Sequence, residues 1–274
     1  MKNSKVIVTR YKSDNCGVAL RLALVSDMHE SDPKTMLQLL RQEKPDVILI
    51  TGDLLERHTE GISRWTDGMM DEWQGIRKRT GCFSFLRRIS YRFGHQGEKR
   101  SRSEHAYAFL REAVKIAPVY YSVGNHEWYF LDEDYRVFAE NKIVLLDNRD
   151  AGFVSRKGSV LIGGLSTRYD LNWLKSFSEK PGYKILLCHH PEYYGRYIRG
   201  TVLDTFDLIL SGHVHGGQWR IFGKGIFAPG QGFFPKYFHG MYDGKLIVSA
   251  GAANTVKIPR FGNPCELVMI ELEK

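Results

Sequence analysis

Unbroken apolar runs alternate along this chain with stretches whose apolar positions recur every three or four residues, a pattern that predicts buried strands between amphipathic helices. The clearest runs cover 22–25, 47–50, 119–123, 185–188 and 208–210. Strands buried on both faces lose the alternation of half-exposed ones and read as continuous hydrophobic stretches. After the first run, Asp32-Pro33 predicts a helix start, a cap followed by proline at the first helical position, with Met36, Leu37, Leu39 and Leu40 as its apolar face. Two more helices are predicted, one from Ser103 through Ala106, Phe109, Leu110, Ala113 and Ile116, the other over 132–140. The second half adds strands near 159–165, 245–250 and 266–271. Alternating elements followed by a strand-rich half predict an α/β fold, with two packed mixed β-sheets flanked by helices. One domain over 1–274, with an insertion at about 56–102, is the expected organisation.

Each of the five runs ends in residues that bind metals: Asp27-Met28-His29, Gly52-Asp53, Gly124-Asn125-His126-Glu127, His189-His190 and Gly212-His213-Val214-His215. Ligands of α/β proteins gather outside the carboxyl ends of strands, so one convergent metal site explains all five. Asp27 and His29, two apart, leave the same face of an extended chain. Gly52 is expected to let a metal or substrate approach the backbone beside Asp53. Four histidines, two aspartates and an asparagine favour Mn, Fe or Zn over Mg or Ca, and the missing thiolates disfavour a structural zinc site. Seven ligands suit two divalent ions sharing a carboxylate and holding a hydroxide between them, the arrangement for displacement at phosphorus without a side-chain nucleophile.

Charge and cysteine usage narrow the context. The four cysteines, Cys16, Cys82, Cys188 and Cys265, form no Cys-x-x-Cys pair, which argues for free thiols. No apolar run reaches membrane-spanning length and the first residues lack a signal-type core, so a cytoplasmic protein is expected. The formal charge of +8 points to an anionic partner. Between 77 and 102 nine Lys and Arg side chains face only Glu98, interleaved with Phe83, Phe85, Tyr91 and Phe93. That mixture would suit peripheral contact with an anionic membrane at its inner face or a clamp on an anionic ligand, as readily as a solvated hairpin.

In this order Asp-x-His, Gly-Asp, Gly-Asn-His-Glu, a His after an apolar strand, and Gly-His-x-His resemble the calcineurin-like metallophosphoesterase superfamily. The stretch from Gly212 to Gln218, with 228–232 and 234–237, is similar to its bacterial YkuE-type branch. The resemblance implies a four-layer αββα sandwich. It also implies a first metal on Asp27, His29 and His215, a second on Asn125, His189 and His213, and Asp53 as the bridge. His126 would contact the phosphoryl group or protonate the leaving oxygen, oriented by Glu56, which stands where relatives often have Asp. Arg57 falls where some relatives place a phosphate-contacting arginine. Of the pair His189 and His190, the resemblance selects His189.

Other residues carry less. Glu127 fits either a supporting carboxylate or a helix start, and His58, His95, His105 and His239 read as surface or packing residues. The glycine-rich aromatic stretch 218–242 is either loop packing or a wall of the substrate cleft. The leading expectation is a dinuclear phosphoesterase acting on a phosphodiester or pyrophosphate bond of a small-molecule or lipid-linked substrate. A nuclease or cyclic-nucleotide phosphodiesterase is the alternative, though no nucleic-acid module is present. A non-catalytic metal scaffold is a third reading, weakened because His126 and the bridging Asp53 are both in place.

Overall fold

The computed structural model describes residues 6–14, 17–57, 103–254 and 258–274. Two six-stranded sheets dominate them. The first runs β1 (Val6–Ser13), β16 (Cys265–Leu272), β2 (Leu20–Val25), β3 (Val47–Ile50), β4 (Val119–Ser122), β5 (Val144–Leu146), and only the β16/β2 pair is antiparallel. The second runs β14 (Gly240–Tyr242), β15 (Leu246–Val248), β9 (Leu208–Ser211), β8 (Lys184–Cys188), β7 (Gly158–Leu165), β6 (Arg149–Ser155), with antiparallel pairs at its two edges. Both sheets are mixed, as the pattern predicts.

Successive side chains of a strand leave opposite faces, and here both faces of the central strands are covered. Leu20, Leu22 and Leu24 of β2 meet Ile162, Ile185 and Leu187 of the second sheet, forming an apolar layer between the sheets. Ala23 and Val25 point the other way, under α1 (Lys34–Glu43), α2 (Ser103–Ala113) and α3 (Asp132–Glu140), which contribute Leu40, Phe109 and Phe138. On the far side α4 (Leu171–Ser178) lays Leu174 and Phe177 over Leu186 and Ile209. The result is the four-layer αββα sandwich, and it explains why the central strands read as continuous apolar runs.

Several elements escape the sequence pattern. Strands β1 and β6 lie at sheet edges and are largely half-buried or exposed, and apart from Val6-Ile7-Val8 neither carries an apolar run. Helix α4 is a short helix whose start is set by the Asp170 carboxylate accepting from Asn172 N and Trp173 N. The start of α1 also shifts by one residue. Pro33 is its cap, and Asp32 reaches forward to accept from Lys34 N at 3.0 Å. Beyond Glu56 and Arg57, the predicted insertion lies outside the described residues, as do its segment 77–102, His58 and His95. Among the described residues no helix is long and apolar enough to cross a membrane.

Candidate metal centre

The chain turns sharply where it leaves the central strands. Asp27, His29, Asp53, His213 and His215 all adopt positive φ, from 46° to 69°. A left-handed backbone costs a residue with a Cβ about 1 kcal/mol or more, and strain of this kind gathers at functional sites. The turns are stitched together: Asp27 N donates to Gly52 O and His29 N to Asp53 O, at 3.2 and 2.9 Å. Gly52, at φ 93°, abuts the next loop, so a Cβ there would lie 2.5 Å from Gly124 Cα and 3.0 Å from His189 Nδ1. Packing of one strand-end loop on another therefore requires this glycine.

The structure brings all seven predicted ligands together. Asp27, His29 and His215 form one group, and Asp53, His189 and His213 another, with the donor atoms of each within 4.8 Å of one another. Asn125 Oδ1 lies 3.0 Å from His189 Nε2. The buried Asp53 Oδ2 faces three imidazoles, at 3.2 Å from His189 Nε2, 3.7 Å from His29 Nε2 and 3.9 Å from His126 Nε2. His189 Nδ1 donates to Thr51 O and His29 Nδ1 to Glu56 Oε1, both at 2.6 Å, which turns Nε2 of each ring into the cluster. Nε2 of His29 and of His213 are buried with no hydrogen-bond partner. Buried nitrogens are almost always satisfied, so this nitrogen-rich set fits divalent transition ions.

Charge in the cluster is arranged around Asp53. Burial alone would raise its carboxyl, but positive charge on His189 and His126 holds it well below the usual range. Burial opposes protonation of His189, yet the Asp53 charge and hydrogen bond push its pKa up to about 9. His215 goes the other way, lowered to about 3, chiefly by burial. A proton on His189 Nε2 thus occupies the position that a metal would take, and loading must expel it. Metal affinity is expected to rise about tenfold per pH unit between pH 7 and 9 for this one proton. Calorimetric titration of Mn2+ in buffers of different ionisation enthalpy would measure it, and a pH-independent affinity with no proton release would remove the effect.

Around the cluster the acidic residues divide the work. Glu56 uses both carboxylate oxygens, Oε1 on His29 and Oε2 on His126 Nδ1 at 2.8 Å, so the longer side chain in place of Asp reaches both rings. Burial opposes a proton on His126, but the charges of Asp53 and Glu56 outweigh it and raise its pKa to about 10. Glu127, ambiguous in sequence, is a buried clamp. Oε1 accepts from Leu54 N, Leu55 N and Tyr121 Oη, and Oε2 from Asp53 N and Gly124 N, over 2.5–3.0 Å.

Arg57 departs from its expected phosphate contact. Its guanidinium is buried in a bidentate pair with Asp134 at 2.7 and 2.8 Å, and also donates to Glu30, Ser103 and Tyr107. Every donor is taken by the scaffold. His190 is not in either of the two donor groups but forms a further one with Glu192 and His213, whose donor atoms also lie within 4.8 Å of one another. Its Nε2 meets Thr167 Oγ1 and its Nδ1 Glu192 Oε1, while its ring packs on His213 at 4.2 Å. Glu192 went unnoticed in the sequence because only the fold sets its carboxylate beside His213. Arg260 was missed for the same reason, and it reaches Nδ1 of His215 at 3.4 Å. His105 and His239 are packing residues, bound to Glu30 O and to Glu266. Cys188 and Cys265 are buried free thiols.

Comparison with known proteins places this geometry. The model of the calcineurin-like phosphoesterase family matches residues 20–217. The uncharacterized metallophosphoesterase Cj0846 of Campylobacter jejuni is 26% identical over 100% of this chain, which spans 63% of that relative's length. The uncharacterized metallophosphoesterase YkoQ of Bacillus subtilis is 25% identical over 83% of the chain and 68% of its own length. Among solved structures, phosphopantetheinyl hydrolase from Mycobacterium tuberculosis overlaps 86% of this chain and 91% of its own at 11% identity and a TM-score of 0.42. TT1561 of Thermus thermophilus overlaps 71% and 82% at 13% identity and a TM-score of 0.41. These overlaps are too loose to bear on substrate. The family model alone takes in well over half of the sequence, every strand end that supplies a donor among them, and the chain therefore belongs to the calcineurin-like phosphoesterase family.

Proposed function

We propose that the chain hydrolyses a phosphodiester or pyrophosphate bond at a pair of divalent ions bridged by Asp53. Asp27, His29 and His215 would hold one ion, and Asn125, His189 and His213 the other. The carrying observation is Asp53 Oδ2, a buried carboxylate oxygen flanked by imidazoles from both groups. Such ions polarise phosphoryl oxygens and activate water, which supplies the nucleophile. The nitrogen-rich donors favour Mn, Fe or Zn.

The chain's own residues then manage the leaving group. The His126 side chain is 28% exposed where that of His29 is 3% exposed, so it stands at the open side of the cluster. Glu56 orients its ring through Nδ1 and favours the protonated form, leaving Nε2 to protonate a departing alkoxide or phosphate. Loss of this acid is expected to slow poor leaving groups most. For His126→Ala we expect a fall of about 10²- to 10⁴-fold on an alkyl phosphodiester and a smaller fall on bis-p-nitrophenyl phosphate, whose phenolate leaves without a proton.

The direct test is chelation followed by reloading with Mn2+, counting bound ions and assaying bis-p-nitrophenyl phosphate against p-nitrophenyl phosphate. Two ions per chain and faster diester turnover are expected. A protein that binds two ions yet cleaves no diester or pyrophosphate in a broad panel would sink this reading.

A further inference from the structure

The stretch just after His215 is built for a surface. Two small hairpins follow, β10 (Arg220–Ile221) with β11 (Lys224–Gly225), and β12 (Phe227–Ala228) with β13 (Gly232–Phe233). Backbone bonds join them, since Ile226 N donates to Trp219 O and Phe234 N to Ile226 O, and Trp219 bridges to Phe261. While Phe227 is half-buried, most of the aromatics on and beside them face outward: Phe222 is 101% exposed, Phe234 70%, Phe261 65%, and Trp219 and Phe233 43% each. Full exposure of Phe222 means that it does not line a cleft.

The backbone makes this exposure deliberate. The turn of the first hairpin is Phe222-Gly223, with φ 49° and 75°, the two-residue form that prefers Asn-Gly. Phe234 is also left-handed, at φ 55°. A bulky side chain at positive φ is an outlier, and here two such outliers are exposed phenylalanines, where no packing compensates for the strain.

The electrostatics choose the occupant. From Leu208 to Cys265 the sole acidic residue is Asp243, and Arg199 binds it at 2.6 Å. Lys224 and Lys236 are exposed beside the aromatics. Aromatic tips flanked by exposed lysines match the boundary between anionic headgroups and acyl chains. We propose that this rim docks on an anionic lipid bilayer and presents the metal cleft to lipid-borne substrate. The docking itself does not depend on the phosphoesterase reading, and only the substrate clause rests on it.

The test is sedimentation of the full chain with phosphatidylcholine vesicles, with and without phosphatidylglycerol. The variants are Phe222→Asn with Phe234→Asn, and Lys224→Glu with Lys236→Glu. The wild type is expected to bind the anionic vesicles. The asparagine pair is expected to weaken binding by about tenfold or more while melting at or above the wild-type temperature, because Asn suits left-handed turns. The glutamate pair is expected to abolish the preference for phosphatidylglycerol. Equal binding by wild type and the asparagine pair would overturn the proposal, as would no vesicle binding by the wild type. Self-association that the asparagine pair loses, without vesicle binding, would assign the rim to a second copy and overturn it equally. Turnover of bis-p-nitrophenyl phosphate in the same wild-type preparation judges the phosphoesterase reading separately.

Discussion

Asp53→Asn is expected to lower metal-dependent turnover at least about a thousandfold, the equivalent of roughly 4 kcal/mol of transition-state stabilisation. The substitution keeps the shape of the side chain and its Oδ1, which accepts from His126 N at 2.9 Å, so the loop between β3 and Arg57 has its anchor. What disappears is the charge that Oδ2 presents to His189 and His29. Without it the two donor groups share no anion, and one ion per chain instead of two is the expected count. The metal-free variant should also lose the proton release of His189, since Asp53 is what holds that ring protonated. Metal counting, calorimetry and kinetics on one preparation would check the three together. A variant with two ions and wild-type turnover would end the bridging assignment.

Glu127→Ala is expected to cost the fold more than any change at a ligand. Five donors converge on this buried carboxylate, four of them backbone N–H groups at the ends of β3 and β4. A buried donor left without a partner costs about 1–3 kcal/mol, and these would be lost together. The sum rivals the whole stability of a domain, about 5–15 kcal/mol, so the metal-free variant is expected to be largely unfolded at 25 °C. Glu127→Gln keeps an acceptor but sets an NH2 against N–H donors, and an intermediate loss follows. Urea unfolding followed by circular dichroism would rank the three proteins. A wild-type midpoint for the alanine variant would show that solvent or neighbouring acceptors replace the clamp.

The sequence disclosed the centre of this molecule better than its margins. Strands β2, β3, β4, β8 and β9 are apolar on both faces, and their donors sit directly at the strand ends, so pattern and chemistry coincide. The edge strands β1 and β6 bury too little to leave that trace. The partners of residues behind the donors were hidden for another reason. Whether Arg57 meets a phosphate or Asp134 is decided 77 residues away in sequence, and Glu56 reaching His29 as well as His126 depends on two loops meeting. At Gly52 the sequence does not disclose the contact with Gly124, because that neighbour comes from a loop about 70 residues further along.

Each donor group draws on both sheets. Asp27 and His29 follow β2, Asp53 follows β3 and Asn125 follows β4, whereas His189 follows β8 and His213 and His215 follow β9. Elsewhere the sheets adhere through an apolar layer, which is non-directional and resists sliding poorly. An ion held by Asp27, His29 and His215 would pin one sheet to the other at the open end of that seam. Because it binds the joined sheets and not the separated ones, it stabilises the folded form by mass action and slows unfolding where the sheets must part before the ion leaves. A loaded chain would then be slow to unfold and a chelated one quick, so that the lifetime of the protein becomes a reading of the metal supplied to it.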